Sequence, residues 1–338
     1  MKLVCFECGK EHAGKQTECE CGGALDPRYP SEERPVPDNE VSMGEGNTPL
    51  VESSVLDVAD FHIKDESRNP TGSLRDREMS LAVSMVRDEA NKVALYSTGD
   101  AGISAAAYAA RAGLVFVPNR ASFDAKAMIN VHGGDMTVVR GRLDEARERA
   151  EEGEGTSLSP FETPYRHEGA ATVGEEILAS LEDVTNLHIV CPIGNGTLFV
   201  GLHKALPSEI GLHGVQAEGC APIVRAYETG DYQPWDSPDT VIGAVEVPDP
   251  AGASVVLSAL DERKENSEVV AIEDGDALDT ALELAADGIE VSPAGALAAA
   301  GAVELDSIDP EDTVVAVNPG SARASADVLR NRLVYHGE

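Results

Sequence analysis

Short apolar runs alternate with helix-length stretches through most of this chain, and that alternation limits the folds open to it. Val93–Tyr96 has the composition of a strand and leads into Ser97-Thr-Gly-Asp-Ala-Gly. The Ala-rich stretch from Ile103 to Arg111 then reads as a helix ending near Gly113. Val115–Val117 reads as a strand, Ala125–Val131 as a helix and Met136–Val139 as a strand, and a charged helix starts at Leu143. Leu187–Cys191 is a strand entering Pro192-Ile-Gly-Asn-Gly-Thr-Leu and a helix, with further strands at Val215–Ala217 and Thr313–Val317. Such alternation builds a parallel sheet covered by helices, and ligands bind such sheets at the C-terminal ends of strands. Three turns containing glycine follow strands here, so a site is expected among them. No internal repeat is visible.

The chain has 338 residues, 42% of them hydrophobic, which implies about two domains and a large core. Only 4% are aromatic, so that core is built from Ala, Val, Leu and Ile. The net charge is −34, from 60 acidic and 26 basic residues spread along the whole length. Only eight of the basic residues are lysines. An evenly acidic, lysine-poor surface suits a cytoplasm of high salt, where screening shortens self-repulsion. It argues against nucleic acid as a partner, which requires a basic footprint. Met1-Lys-Leu-Val-Cys does not resemble a signal peptide, and no apolar run reaches the roughly 20 residues that span a membrane. The expected protein is soluble and cytoplasmic.

Four of the six cysteines lie in the first 21 residues, as Cys5-x2-Cys8 and Cys19-x-Cys21, and each pair is followed by glycine. This reads as a zinc ribbon with a structural metal held by four sulfurs over residues 1–26; the alternative is a pair of disulfides, which a reducing cytoplasm disfavours. Cys191 and Cys220 lie in apolar surroundings and read as packing residues. Residues 27–42 are rich in proline and charge and read as a linker.

In the turn Gly194-Asn195-Gly196-Thr197-Leu198, small residues between a strand and a helix let backbone N–H groups point at an anion. The bland alternative is a tight turn and nothing more. Ser97-Thr98-Gly99-Asp100-Ala101-Gly102 is the second turn, and Asp100 in it reads either as a site residue or as a helix cap. Asn318-Pro319-Gly320-Ser321 is the third.

Residues 64–77, Lys-Asp-Glu-Ser-Arg-Asn-Pro-Thr-Gly-Ser-Leu-Arg-Asp-Arg, closely resemble the signature of threonine synthase and its relatives, enzymes of fold type II that use pyridoxal phosphate (PLP). Gly44-Glu-Gly-Asn-Thr-Pro-Leu resembles the family's Gly-x-Thr-Pro-Leu entry, and Val291-Ser-Pro-Ala-Gly-Ala-Leu its later helix entry. Some threonine synthases also carry an N-terminal ribbon. The resemblance implies an α/β fold of two parallel-sheet, three-layer domains plus the zinc ribbon. The large domain would take residues 43–85 and 168–338, and the small one 86–167. It implies a homodimer, and a PLP phosphate cradled by Gly194, Asn195, Gly196, Thr197 and Leu198. A substrate carboxylate would be held by Ser97, Thr98, Gly99 and Ala101.

The departures from the family are as informative as the matches. Arg75 stands where the family has the lysine that forms the Schiff base, and a guanidinium offers no free amine. Asp100 stands where the family has an asparagine that donates to the PLP ring oxygen, and Ala171 where it has a lysine. Either Asn318 or Ser321 would take the role of the hydroxyl that bonds the pyridine nitrogen. Lys64 and Lys126 match other family positions. Arg75 and Asp100 are expected near one another; they either form a salt bridge that partly plugs the pocket or have drifted without pairing. Three functions stay open: an active threonine synthase-type lyase, a degenerate paralogue that binds an anionic or phosphorylated metabolite or PLP without a covalent bond, and a regulatory partner of an active homologue.

Overall fold

The computed structural model describes residues 2–12, 19–29, 39–56, 58, 60–88, 90–110, 112–181, 184, 186–309 and 311–335. Most of the expected linker, residues 30–38, lies outside the described residues, as does Arg111. The chain divides into two compact units, Met1–Glu45 with Asn69–Thr172, and Gly46–Arg68 with Val173–Glu338.

In chain order the strands before the first long helix are β1 (Lys2–Cys5), β2 (Glu11–His12), β3 (Leu25–Arg28), β4 (Leu50–Ser53) and β5 (Asp60–Asp65). Then come α1 (Arg75–Val86), β6 (Val93–Tyr96), α2 (Asp100–Tyr108), β7 (Gly113–Pro118), α3 (Phe123–Val131), β8 (Asp135–Val139), α4 (Leu143–Glu151), β9 (Thr156–Ser157) and α5 (Tyr165–Ser180). The rest is β10 (Leu187–Pro192), α6 (Thr197–Ala205), β11 (Gly211–Ala217), α7 (Pro222–Thr229), α8 (Ala253–Glu262), β12 (Val269–Ile272), α9 (Asp274–Ala286), α10 (Pro293–Glu304), β13 (Thr313–Asn318) and α11 (Ala326–Tyr335).

The first unit carries two sheets. The antiparallel sheet β2-β1-β3 packs Leu3 and Leu25 against Cys5 and Cys19. The other is fully parallel, in the order β8-β7-β6-β9. Its core joins Leu95, Val115 and Val117 of the strands to Met79, Ile103 and Ile129 of the helices. All four residues of β6 are buried, which requires cover on both faces. Helix α1 shares this core through Met79, Ala82 and Val83, so residues 69–85 go with the smaller sheet. The sequence reading grouped 43–85 with the larger one.

The second unit is built on a six-stranded sheet in the order β12-β11-β10-β13-β5-β4. It is parallel except for the edge strand β4, which runs antiparallel to β5. Helix α10 is apolar on every face and buried from Pro293 to Ala302, as a helix enclosed by its surroundings must be. It packs against Val190, Val215 and Val314 of the central strands. The turn after β10 and the turn after β13 therefore leave the same end of neighbouring strands. Among the described residues, no helix is long and apolar enough to cross a membrane.

Candidate functional site

Cys5 closes β1, Cys8 lies in the turn that follows, and Cys19 and Cys21 lead towards β3. Their sulfurs lie within 4.8 Å of one another, with Cys5–Cys21 at 3.5 Å, Cys8–Cys21 at 3.6 Å and Cys8–Cys19 at 3.7 Å. A disulfide requires about 2.05 Å. Four thiolates on a tetrahedral zinc at about 2.3 Å stand about 3.8 Å apart. The four cysteines are free thiols, so the disulfide alternative falls and the donor set fits a metal. The amide of Gly23 favours the Cys21 thiolate, but the thiols of Cys19, Cys5 and Cys8 push its pKa up to about 12. Crowded thiols of this kind ionise readily only around a cation. Cys191 and Cys220 are buried, and burial pushes the Cys191 thiol well up, as expected of packing residues.

In the first unit, Arg75 opens α1 and its guanidinium donates to Oε1 of Glu78, one helical turn on. Arg75 is thus paired with Glu78, and no direct bridge between Arg75 and Asp100, envisaged from the sequence, forms among the described residues. Glu78 is fully buried, and its other oxygen accepts from Arg166 Nε at 2.7 Å and Nη2 at 2.6 Å. Arg75 still acts on Asp100 through space. Burial raises the Asp100 carboxyl, Arg75 draws it down and Asp76 raises it further, leaving it at about 6.

Asp100 is the first residue of α2 and does not cap it. Ser97 fills that role: its Oγ accepts from the amides of Gly99 and Gly102, each at 3.0 Å. Thr98 and Ala101 are partly exposed beside it. Ala171 is buried in α5, and the amine of Lys126 is spent on the carbonyls of Asn119 at 2.6 Å and Ala121 at 2.7 Å.

In the second unit, the turn after β10 brings Gly194–Leu198 to the start of α6. Gly196 is the N-cap, with φ of 94°, a left-handed conformation that favours glycine, and no side chain caps the helix. Gly194 faces the Ala244 carbonyl, which a Cβ there would approach to 3.0 Å. Asn195 is pinned from below, its Oδ1 accepting from Ala251 N at 3.2 Å and its carbonyl from Gly252 N at 3.1 Å. The loop thus keeps its shape through its own backbone, with the amides of an uncapped helix start at its rim.

Asn318, at the end of β13, is fully buried and knits the scaffold. Its Oδ1 accepts from Ser292 N at 3.1 Å and Ser292 Oγ at 3.0 Å, and its Nδ2 donates to Asp65 at 2.9 Å. Ser321 is the more accessible of the two alternatives, and its Oγ accepts from Arg323 N at 3.2 Å. Lys64 is 1% exposed and donates to the Thr48 carbonyl at 2.8 Å and to Glu176 at 2.7 Å. Sequence reading missed Glu78 and Arg166. The three-residue spacing of Arg75 and Glu78 on a helix was an available signal; nothing local marks Arg166.

A family model described as pyridoxal-phosphate dependent enzyme matches residues 41–320. A threonine synthase of Methanosarcina acetivorans is 31% identical, over 94% of this chain and 91% of that protein. A threonine synthase of Methanocaldococcus jannaschii is 28% identical, over 96% of this chain and 93% of that protein. Among solved structures, the processed form of threonine deaminase isoform 2 from Solanum lycopersicum is similar with a TM-score of 0.71 and 20% identity, covering 84% of this chain and 87% of that one. Maize serine racemase is similar with a TM-score of 0.72 and 18% identity, covering 86% and 94%. The structural likenesses carry the fold, and the sequence matches carry the kinship: this chain belongs to the pyridoxal-phosphate dependent enzyme family, among its threonine synthase-like members.

Proposed function

We propose that this threonine synthase-like chain is a catalytically degenerate paralogue that binds a phosphorylated or anionic metabolite, or PLP itself, without a covalent bond. The observation that carries this reading is Arg75, a permanent cation engaged with buried Glu78 at the position matched to the family's amine. The loop from Gly194 to Leu198 fits a phosphate group, through backbone amides at an uncapped helix start. The residues do not fit the aldehyde of PLP. Lys64 and Lys126, the other lysines matched to family positions, hold their amines in tight polar contacts. In this reading Gly194, Asn195, Gly196, Thr197 and Leu198 hold the phosphate. In the first unit, Ser97, Thr98, Gly99 and Ala101 are the candidates for a carboxylate, with Asp100 beside them; in the second unit Ser321 is a further polar candidate. Zinc in the Cys5, Cys8, Cys19 and Cys21 cluster is structural, with every ligand position filled by sulfur.

The test is the absorption spectrum of the purified protein with PLP, before and after borohydride. The expected result is saturable binding displaced by inorganic phosphate, with no pyridoxyl group fixed to any peptide. A pyridoxyl-lysine peptide overturns the reading. Metal analysis should find about one zinc per chain.

The relatives named threonine synthase, with 31% identity over 94% of this chain, favour a second reading: an active lyase that converts O-phosphohomoserine to threonine. PLP, when bound, would supply an electron sink. Release of phosphate with formation of threonine from that substrate would establish it.

A further inference from the structure

Glu78 is fully buried, and its carboxylate is divided between two arginines. Arg166 supplies two of the donors and spends Nη1 on the Leu158 carbonyl at 3.1 Å, so it is held from both sides. Burial would favour the neutral acid, but the charges of Arg166 and then Arg75 outweigh it and hold the Glu78 carboxyl below the usual range. Arg166 is the stronger of the two influences. Arg166 holds one carboxylate oxygen and leaves the other to position 75. A fixed carboxylate one turn away keeps any basic side chain at that position protonated and in place.

We propose that Glu78 is the positioning residue that makes position 75 an immobile cation, so the loss of amine chemistry belongs to Glu78 and Arg166 as much as to Arg75. The inference rests on the reading of Arg75 as the family's amine position. Arg75 is the member with solvent access, its side chain 24% exposed against 0% for Glu78 and 2% for Arg166. Its guanidinium is thus partly open to solvent while its orientation is set from within by Glu78. Asp100, at the start of α2, feels the charge of Arg75, and Asp76, on α1, acts on Asp100 in turn. Asp100 competes with an anion once it ionises.

The test is Arg75→Lys, probed by reductive methylation with formaldehyde and cyanoborohydride and read by peptide mass. The probe needs no cofactor, so its outcome is separate from the phosphate-binding reading. At pH 8 the introduced amine should react at least about tenfold more slowly than exposed Lys264, with a rate half-maximal above about pH 10.4. Adding Glu78→Gln should lower that half-maximal pH by about one unit or more and raise the rate at pH 8 about tenfold. An amine as reactive as Lys264, or a profile that Glu78→Gln leaves unmoved, overturns the proposal. Should the double variant fail to fold by circular dichroism, the single variant still decides. Burial without the ion pair places the half-maximal pH below the ordinary lysine value, and pairing with Glu78 places it above.

Discussion

At position 75 a guanidinium and an amine differ in what they do with a proton, and the neighbours decide how far that difference reaches. Asp100 registers it: its carboxyl sits at about 6 because burial outweighs the attraction of Arg75. The ordinary value is 3.8, so between these values the folded chain binds a proton that the unfolded chain has lost. Stability therefore falls as pH rises from about 4 through about 6. Asp100→Asn should stabilise the protein at pH 7.5 by on the order of 1–2 kcal/mol, discounted for partial exposure, and by almost nothing at pH 4. Urea denaturation at the two pH values measures this. That position 75 lacked an amine was legible in one residue. That its charge was spoken for was half legible: Glu78 lies three residues on, while Arg166 lies far along the chain and meets it only after folding.

Elements in the neighbourhood of the site depend on small capping groups. Helix α2 begins at Asp100, three residues before the apolar stretch that marked it in the sequence, because Ser97 Oγ gathers the amides of Gly99 and Gly102. Ser97→Ala should cost about 1 kcal/mol, read by urea denaturation, and should leave the cysteine cluster's metal content unchanged. Among the described residues the three-stranded sheet has a core of only Leu3, Cys5, Cys19 and Leu25, too small to stand without a staple such as the zinc proposed for its cysteines. It is tied to α5 by His167, whose ring lies 5.6 Å from both Phe6 and Phe161 and 3.4 Å from Asp26. Chelation should therefore speed amide exchange in β1, β3 and the first turn of α5, and leave α10 unchanged by mass spectrometry. The strands at 93–96 and 187–191 were legible because apolar, β-prone residues sit between turn signals. Strand β5 was not, since Asp60, His62 and Lys64 give it a polar face.

Across the whole molecule, a net charge of −34 makes self-repulsion a general cost. At about 1 M salt the screening length falls to roughly 3 Å. The thermal midpoint should therefore climb between 0.1 M and 2 M potassium chloride, by roughly 2–4 °C for each kcal/mol of repulsion removed. A midpoint that stays flat over that range would remove the case for adaptation to salt. By itself the sequence determined the class of fold, the kinship to threonine synthase, the cysteine cluster and the absence of an amine at position 75. Each of these is written in local spacing: turns after strands, paired cysteines, an ordered motif. Only the tertiary structure decided that Arg75 is paired with Glu78, that Asn318 belongs to the scaffold, and that Lys64 and Lys126 are committed elsewhere. Partners such as Arg166 or Glu176 are distant in sequence, and burial, which sets what a charge costs, exists only once the chain has closed around it.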